Sequence, residues 1–171
     1  MKTYSQEEID RLISCPKVIT EPPRKEMKPE RGSQRNNMLL RSTDGVTEFS
    51  VFMRVNDDFR ENFSIGLIYH PRDERGALHL LRCNGPHGDF IGSYRHSVSH
   101  FRYHFHRAKA ENIVLGLRPE FGGEVTEGYG CYKDALSFFL REINLINAGE
   151  YFPELSQPGL DLNLVEQERE P

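Results

Sequence analysis

From residue 38 to residue 107 the chain is a run of short segments in which apolar and polar side chains alternate, separated by turns rich in Gly, Pro, Asn and Asp. A period of two sends alternate side chains to opposite faces of an extended strand, so this stretch predicts a sheet with one apolar and one polar face. In 48–54, Phe49, Val51 and Met53 fall on one face and Ser50, Phe52 and Arg54 on the other. Further strands are predicted at 38–41, 63–70, 77–83 and 101–107. Thr43-Asp44-Gly45-Val46 carries the Asp-Gly pair of a tight hairpin, whose residues tolerate positive φ. Short connections such as 71–76 join antiparallel neighbours. The expected fold class is α+β, with an antiparallel meander of about five strands.

The apolar face of such a sheet needs a cover, and two amphipathic segments suit it. Ser5 before Gln6-Glu7-Glu8 reads as an N-cap with acids in the first turn; Ile9, Leu12 and Ile13 then form a helical stripe that Pro16 ends. Residues 132–145 place Ala135, Leu136, Phe139, Leu140 and Ile143 on one helical face. Between the first helix and the sheet, 16–36 holds four prolines and many charges and is expected to be an extended or irregular connection, a loop or arm. With 171 residues the chain has room for one core. The expected organisation is a single α+β domain over 1–147 and an acidic, flexible C-terminal tail over 148–171. Within that tail, Leu160-Asp161-Leu162-Asn163-Leu164 alternates as a segment that can add to a sheet edge.

Charge is unevenly placed. The net charge is −4, but residues 148–171 alone carry six acids against Arg169, and 69–109 carries seven Lys/Arg against Asp73, Glu74 and Asp89, a local +4. A locally basic surface attracts phosphate even on an acidic protein. Cys15, Cys83 and Cys131 are odd in number and in no CxxC arrangement, which argues against a disulfide framework and a zinc ribbon. No apolar run approaches the ~18 residues of a membrane helix, and the N-terminus lacks an apolar signal region, so the reading is a cytoplasmic protein without a membrane partner. The absence of GxSxG, P-loop, GxGxxG and HExxH patterns gives α/β-hydrolase, NTPase, dehydrogenase and zincin readings no foothold.

All seven histidines lie between His70 and His106. If 100–107 is extended, His100, Arg102, His104 and His106 share a face while Phe101, Tyr103 and Phe105 supply the opposite, core-facing stripe. Such a pair has three readings: a solvated polar strand face, a metal site completed from elsewhere, or a general acid and base with an arginine for the phosphate. Arg82-Cys83-Asn84-Gly85-Pro86-His87 ends the preceding strand in a turn that presents His87 at a loop tip, within reach of His104 and His106 if the two strands pair. His70, His79 and His96 read as structural, and Cys83 as a buried inert thiol.

Arg82, Asn84, Pro86 and His87, followed by His104 and His106, resemble in order the TumE-like family of small toxin proteins from bacterial toxin–antitoxin pairs. Cys83 and Gly85 interrupt that family's turn, Gly88 stands where its second histidine would be, and the acid before Asn84 is missing; about 30 residues are covered. The whole chain is also similar to a bacterial family of unknown function. The toxin-like resemblance implies a metal-independent ribonuclease or a member of a bacterial defence module. In it His104 or His106 activates a ribose 2′-OH, His87 protonates the leaving oxygen, and Arg82, Arg102 and Arg107 are the phosphate-binding candidates, with no metal or cofactor. The competing reading is a non-catalytic antitoxin, immunity factor or phage-encoded inhibitor that uses the basic sheet face or the acidic tail, and a third is a metal-dependent phosphoesterase that uses the same histidines. The partners to expect are RNA, a cognate protein, and a second copy of the chain across an open sheet edge.

Overall fold

The protein is described here by a computed structural model covering residues 3–73, 76–88 and 98–155. Helix α1 (Gln6–Ser14) starts where Ser5 Oγ accepts the Glu8 amide at 3.1 Å and the Glu8 carboxylate accepts the Ser5 amide at 2.8 Å. Two amide donors that a helix start leaves unpaired are satisfied in this way. The helix buries Ile9 and Ile13 and stops at Cys15, ahead of Pro16.

Eight strands follow among the described residues: β1 (Lys17–Glu21), β2 (Lys28–Pro29), β3 (Ser33–Ser42), β4 (Glu48–Asn56), β5 (Phe63–His70), β6 (Leu78–Asn84), β7 (His104–Arg107) and β8 (Glu124–Val125). They form one antiparallel sheet in the order β1-β3-β4-β5-β6-β7-β8, with β2 also paired to β3. The α+β class and the antiparallel sheet stand, while the count of about five strands is corrected to eight. The segment 16–36 is not an irregular connection. Lys17-Val18-Ile19-Thr20 has the β-branched residues of a strand, and Pro22-Pro23 falls after it rather than inside it. Pro29 sits in a two-residue exposed strand, where a missing amide is tolerated. The Asp-Gly hairpin is present: Asp44 Oδ1 accepts the Val46 amide at 3.0 Å, and Gly45 takes a φ of 75°.

The sheet's two faces separate as its pattern dictates. Phe49, Val51, Met53, Ile65, Leu67 and Cys83 are buried in one core with Ile9 and Ile13 of α1 and with Ala135, Phe139 and Leu140 of α3 (Tyr132–Glu142). Two short helices, α2 (Ala110–Val114) and α4 (Ala148–Tyr151), are the remaining α-elements among the described residues. The folded part extends past residue 147: Phe152, which follows α4, is 7% exposed and belongs to the same core, and Pro153–Leu155 forms a 3₁₀ turn. The alternating segment at 160–164 lies outside the described residues. No described helix is long and apolar enough to cross a membrane.

Lys17 ties this architecture together. Its side chain is fully buried, and Nζ donates to the carbonyls of Ile13 (2.7 Å), Cys15 (2.8 Å) and Ile143 (3.1 Å), 4.7 Å from the centre of the Phe49 ring. Burial pulls its pKa down, while carbonyls from the ends of α1 and α3 supply the acceptors that a buried ammonium requires. Its backbone carbonyl accepts the Ile146 amide at 2.9 Å, so the start of β1 is clasped to the chain that follows α3.

Candidate functional site

The polar face of the sheet carries the site, and strand register builds it. In one row across β3 to β7 the paired residues are Arg35, Arg54, Ser64, Asn84 and His104; in the next they are Asn37, Phe52, Gly66, Arg82 and His106. Directly paired residues share a face. Five neighbouring strands at ~4.8 Å spacing therefore lay out a strip roughly 19 Å across, cationic at one end and histidine-rich at the other. Two adjoining cavities of about 490 and 360 Å³ occupy this strip and share Arg54, Ser64 and Arg82 as a common wall. The first adds Arg24, Lys28 and Arg35, the last ion-paired at 3.6 Å with Glu30, which lines the same cavity; the second adds Arg118, His87 and His100. Among the described residues, Arg54, Arg82 and Arg118 are in no ion pair with a carboxylate. Burial, partly opposed by Glu120 and reinforced by Arg118, lowers the Arg82 pKa, yet a guanidinium remains charged at neutral pH.

Four histidines converge at the far end. The ring of His104 lies 5.1 Å from that of His87, 5.0 Å from that of His100, with which it is stacked, and 5.0 Å from that of His106, centre to centre. His87 and His100 are 4.8 Å apart and are held together by a 2.8 Å hydrogen bond from the His87 amide to the His100 carbonyl. The approach of the His87 loop depends on Gly85, because a Cβ there would stand 1.7 Å from the Glu61 carbonyl oxygen.

The two strand histidines are locked by main-chain acceptors. His104 Nδ1 lies 2.7 Å from the Arg102 carbonyl and His106 Nδ1 lies 3.0 Å from the Glu120 carbonyl, so each proton sits on Nδ1 and each Nε2 keeps its lone pair. Asn84 approaches His104 Nε2 at 3.3 Å and is itself fixed by Ser64 Oγ at 2.7 Å. Tyr129 Oη donates to the His104 carbonyl at 2.5 Å and accepts the Asn84 amide at 3.2 Å, bracing β6 and β7 from the core side. Burial, above all, lowers the His104 pKa; burial and then the Arg82 charge push His106 down to about 3. Both rings are neutral at pH 7. His106 Nε2 and Arg82 Nε, at directly opposed positions of the sheet, are buried without hydrogen-bond partners, and buried orphans of this kind concentrate at functional sites.

The expected site residues are thus distributed unevenly. His87, His104, His106 and Arg82 come together, and His100 joins them from a 3₁₀ turn, Val98–Phe101, rather than from a strand. The expected strand 101–107 shrinks to β7, and Phe101 is 55% exposed instead of core-facing. Arg102 is exposed and serves the site through its carbonyl. Arg107 lies on the opposite face, in ion pairs with Asp10 of α1 and Glu142 of α3, and is not brought together with the others. His70 bonds Ser50 Oγ at 2.7 Å and His79 packs near Phe52, both outside the cluster, and His96 lies outside the described residues. Cys83 is fully buried and its thiol is pushed up to about 12 by burial, which makes it inert.

Sequence reasoning missed Arg54, Arg118, Tyr129 and Gly123. Arg54 carried a signal, since it alternates with the core residues of β4. Gly123 carried none, although a Cβ there would stand 2.9 Å from His106 Cε1 and 3.0 Å from His104 Cδ2. No protein-family model, curated protein or solved structure matches the chain.

Proposed function

We propose that the protein binds a single-stranded RNA backbone along the polar face of its sheet and cleaves it at the histidine end. The observation that carries this reading is the pair of cross-strand rows, which lead from Arg54 and Arg82, on the common wall of the two cavities, to the buried imidazoles of His104 and His106, with His87 and His100 lining the cavity beside them. Guanidinium groups grip phosphates without reading sequence. Phe52 adds an aromatic surface in the same groove: its ring lies over Gly66, where a Cβ would come within 2.3 Å of Cε1. An aromatic ring among cations is the arrangement on which unpaired bases stack.

At the histidine end, His104 offers an unprotonated Nε2 at neutral pH, and Arg82 with Arg118 offers positive charge for a phosphate in its transition state. His106 is unsuited to act as a general acid, because its N–H is committed to Glu120 and burial keeps it neutral. The His104 ring lies about 5 Å from the rings of both His87 and His106, a convergence that supports the catalytic reading over a purely occluding surface.

The test is fluorescence anisotropy of a labelled oligoribonucleotide over a salt series, with cleavage followed on gels. Arg54→Ala and Arg118→Ala are expected to weaken binding and each to reduce the salt slope by about one, and His104→Ala to abolish cleavage. Binding indifferent to salt and to both arginines refutes the groove. Binding without cleavage by the wild type leaves an RNA-binding protein and removes the enzyme. Growth arrest on induced expression, lost in the same variants, extends the test to the toxin-like role that the resemblance implies.

A further inference from the structure

We infer that His87, His100 and His104 form the three-histidine site of a divalent transition-metal ion, zinc foremost, whose open coordination position faces the arginine-lined cavity. One nitrogen from each ring can be chosen so that all three lie within 4.8 Å of one another. In a tetrahedral zinc site with bonds of about 2.0–2.1 Å the nitrogens are roughly 3.3 Å apart. Modest rotation of His87 and His100, on a loop and a 3₁₀ turn, closes the difference, while His104 is held in place by β7.

The donor chemistry agrees with the geometry. Three imidazoles, with no carboxylate grouped with them among the described residues, favour zinc, copper or nickel over magnesium or calcium. His104 has the outer-shell bond that metal-binding histidines use: Nδ1 on a main-chain carbonyl, which leaves Nε2 to coordinate. The 3.3 Å contact from Asn84 to that nitrogen is long and gives way readily to a bond to metal. The hydrogen bond from the His87 amide to the His100 carbonyl brings the two non-strand ligands together before any ion arrives.

Arg82 and Arg118 lie across the same cavity. A bare dication beside two guanidinium groups is disfavoured, whereas an ion carrying hydroxide or a phosphate oxygen is not. The ligand class is therefore a metal with an anionic fourth ligand, matched to a phosphodiester held by the arginines. A metal-bound water loses a proton near neutral pH. This deepens the nuclease reading and replaces the expected metal-free mechanism with a metal-assisted one. The metal assignment itself rests on the histidines alone.

The experiment is zinc titration of tag-free, chelator-stripped full-length protein against a competing chromophoric chelator, with cobalt absorption reporting coordination number. One equivalent of zinc is expected, with an intense tetrahedral cobalt spectrum. His87→Ala and His100→Ala should each weaken zinc binding at least 100-fold. His70→Ala, outside the cluster, should leave it unchanged. His87 and His100 are only half-buried, so their removal tests the site without emptying the core as His104→Ala would. Absence of stoichiometric zinc, or binding indifferent to His100→Ala, overturns the proposal. Tight zinc without RNA binding or cleavage preserves the metal site and removes the nuclease reading, and cleavage by chelator-stripped protein that takes up no stoichiometric zinc does the reverse.

Discussion

Gly123→Ala is the sharpest probe of how the histidines are held. The new Cβ would lie 2.9 Å from His106 Cε1, 3.0 Å from His104 Cδ2 and 3.1 Å from His106 Nε2. Non-bonded carbons are most favourable near 3.5–4.0 Å, so about half an ångström must be recovered. The turn cannot slide away cheaply, because Val125 and Glu124 are in register with His104 and Phe105, and the Thr126 amide bonds the Tyr103 carbonyl at 3.0 Å. The imidazoles must therefore yield against their bonds to Arg102 and Glu120. Overpacking of this kind costs about 1–3 kcal/mol, while a metal site tolerates only about 0.2 Å in its bond lengths. The expected result is a loss of that size in urea unfolding of the metal-free protein, with a 10–100-fold loss of zinc affinity as for other outer-shell changes. Gly122→Ala is the control. Its φ of 87° strains an alanine, but its Cβ meets nothing within 4 Å, so it should cost about 1–2 kcal/mol and leave zinc binding intact. A folded Gly123→Ala protein that binds zinc like the wild type would refute the reasoning, as would an equal effect of Gly122→Ala.

Lys17→Met should destabilise the fold by about 1–3 kcal/mol for each carbonyl left unsatisfied, since it strips the common donor from two buried carbonyls and a partly buried one; a urea midpoint close to the wild type's would show that water reaches them. Burial raises the Cys83 thiol to about 12 and Tyr132 to about 12, so each folded pKa exceeds its unfolded value. Their contribution is complete below the unfolded values, near 8.5 and 10, and is lost as pH rises toward 12. Stability should therefore decline above about pH 9, less steeply in Cys83→Ala, and parallel declines would remove Cys83 from the account. In the native protein at neutral pH a thiol reagent should modify exposed Cys131 and spare Cys83, and rapid modification of both would contradict the burial of β6. Phe52→Ala is expected to cost about 1–3 kcal/mol of RNA affinity through lost stacking while zinc binding is unchanged, and unaltered affinity would take the ring out of the interface.

Much of the sheet was legible because period-two alternation reports directly which side of a strand meets the core. Strands β4, β5 and β6 and the Asp-Gly hairpin emerged from that pattern almost residue for residue. The pattern failed at β1 and β2, where prolines and charges mask strands that need only a neighbour's hydrogen bonds, and at β7, where Phe101 alternates like a core residue but lies in an exposed turn. It also marked the folded part as ending too soon, since Phe152, in a short segment with Gly149, Pro153 and two acids, does not announce by any period that it packs into the core.

For the site, the sequence by itself determined the ingredients: a His-x-His strand, a histidine on the turn after the preceding strand, and an arginine beside that turn. These are local facts, set by spacing along the chain. Only the tertiary structure decided their use. Pairing of β6 with β7 put Arg82 opposite His106 and Asn84 opposite His104, and pairing of β4 with β5 brought Arg54 into the same row. Packing of α1 and α3 on the other face drew Arg107 away to Asp10 and Glu142. Burial and two main-chain carbonyls made the paired imidazoles neutral and set their lone pairs on Nε2. Register, burial and protonation depend on residues far away in the chain, and alternation along a strand carries no record of them.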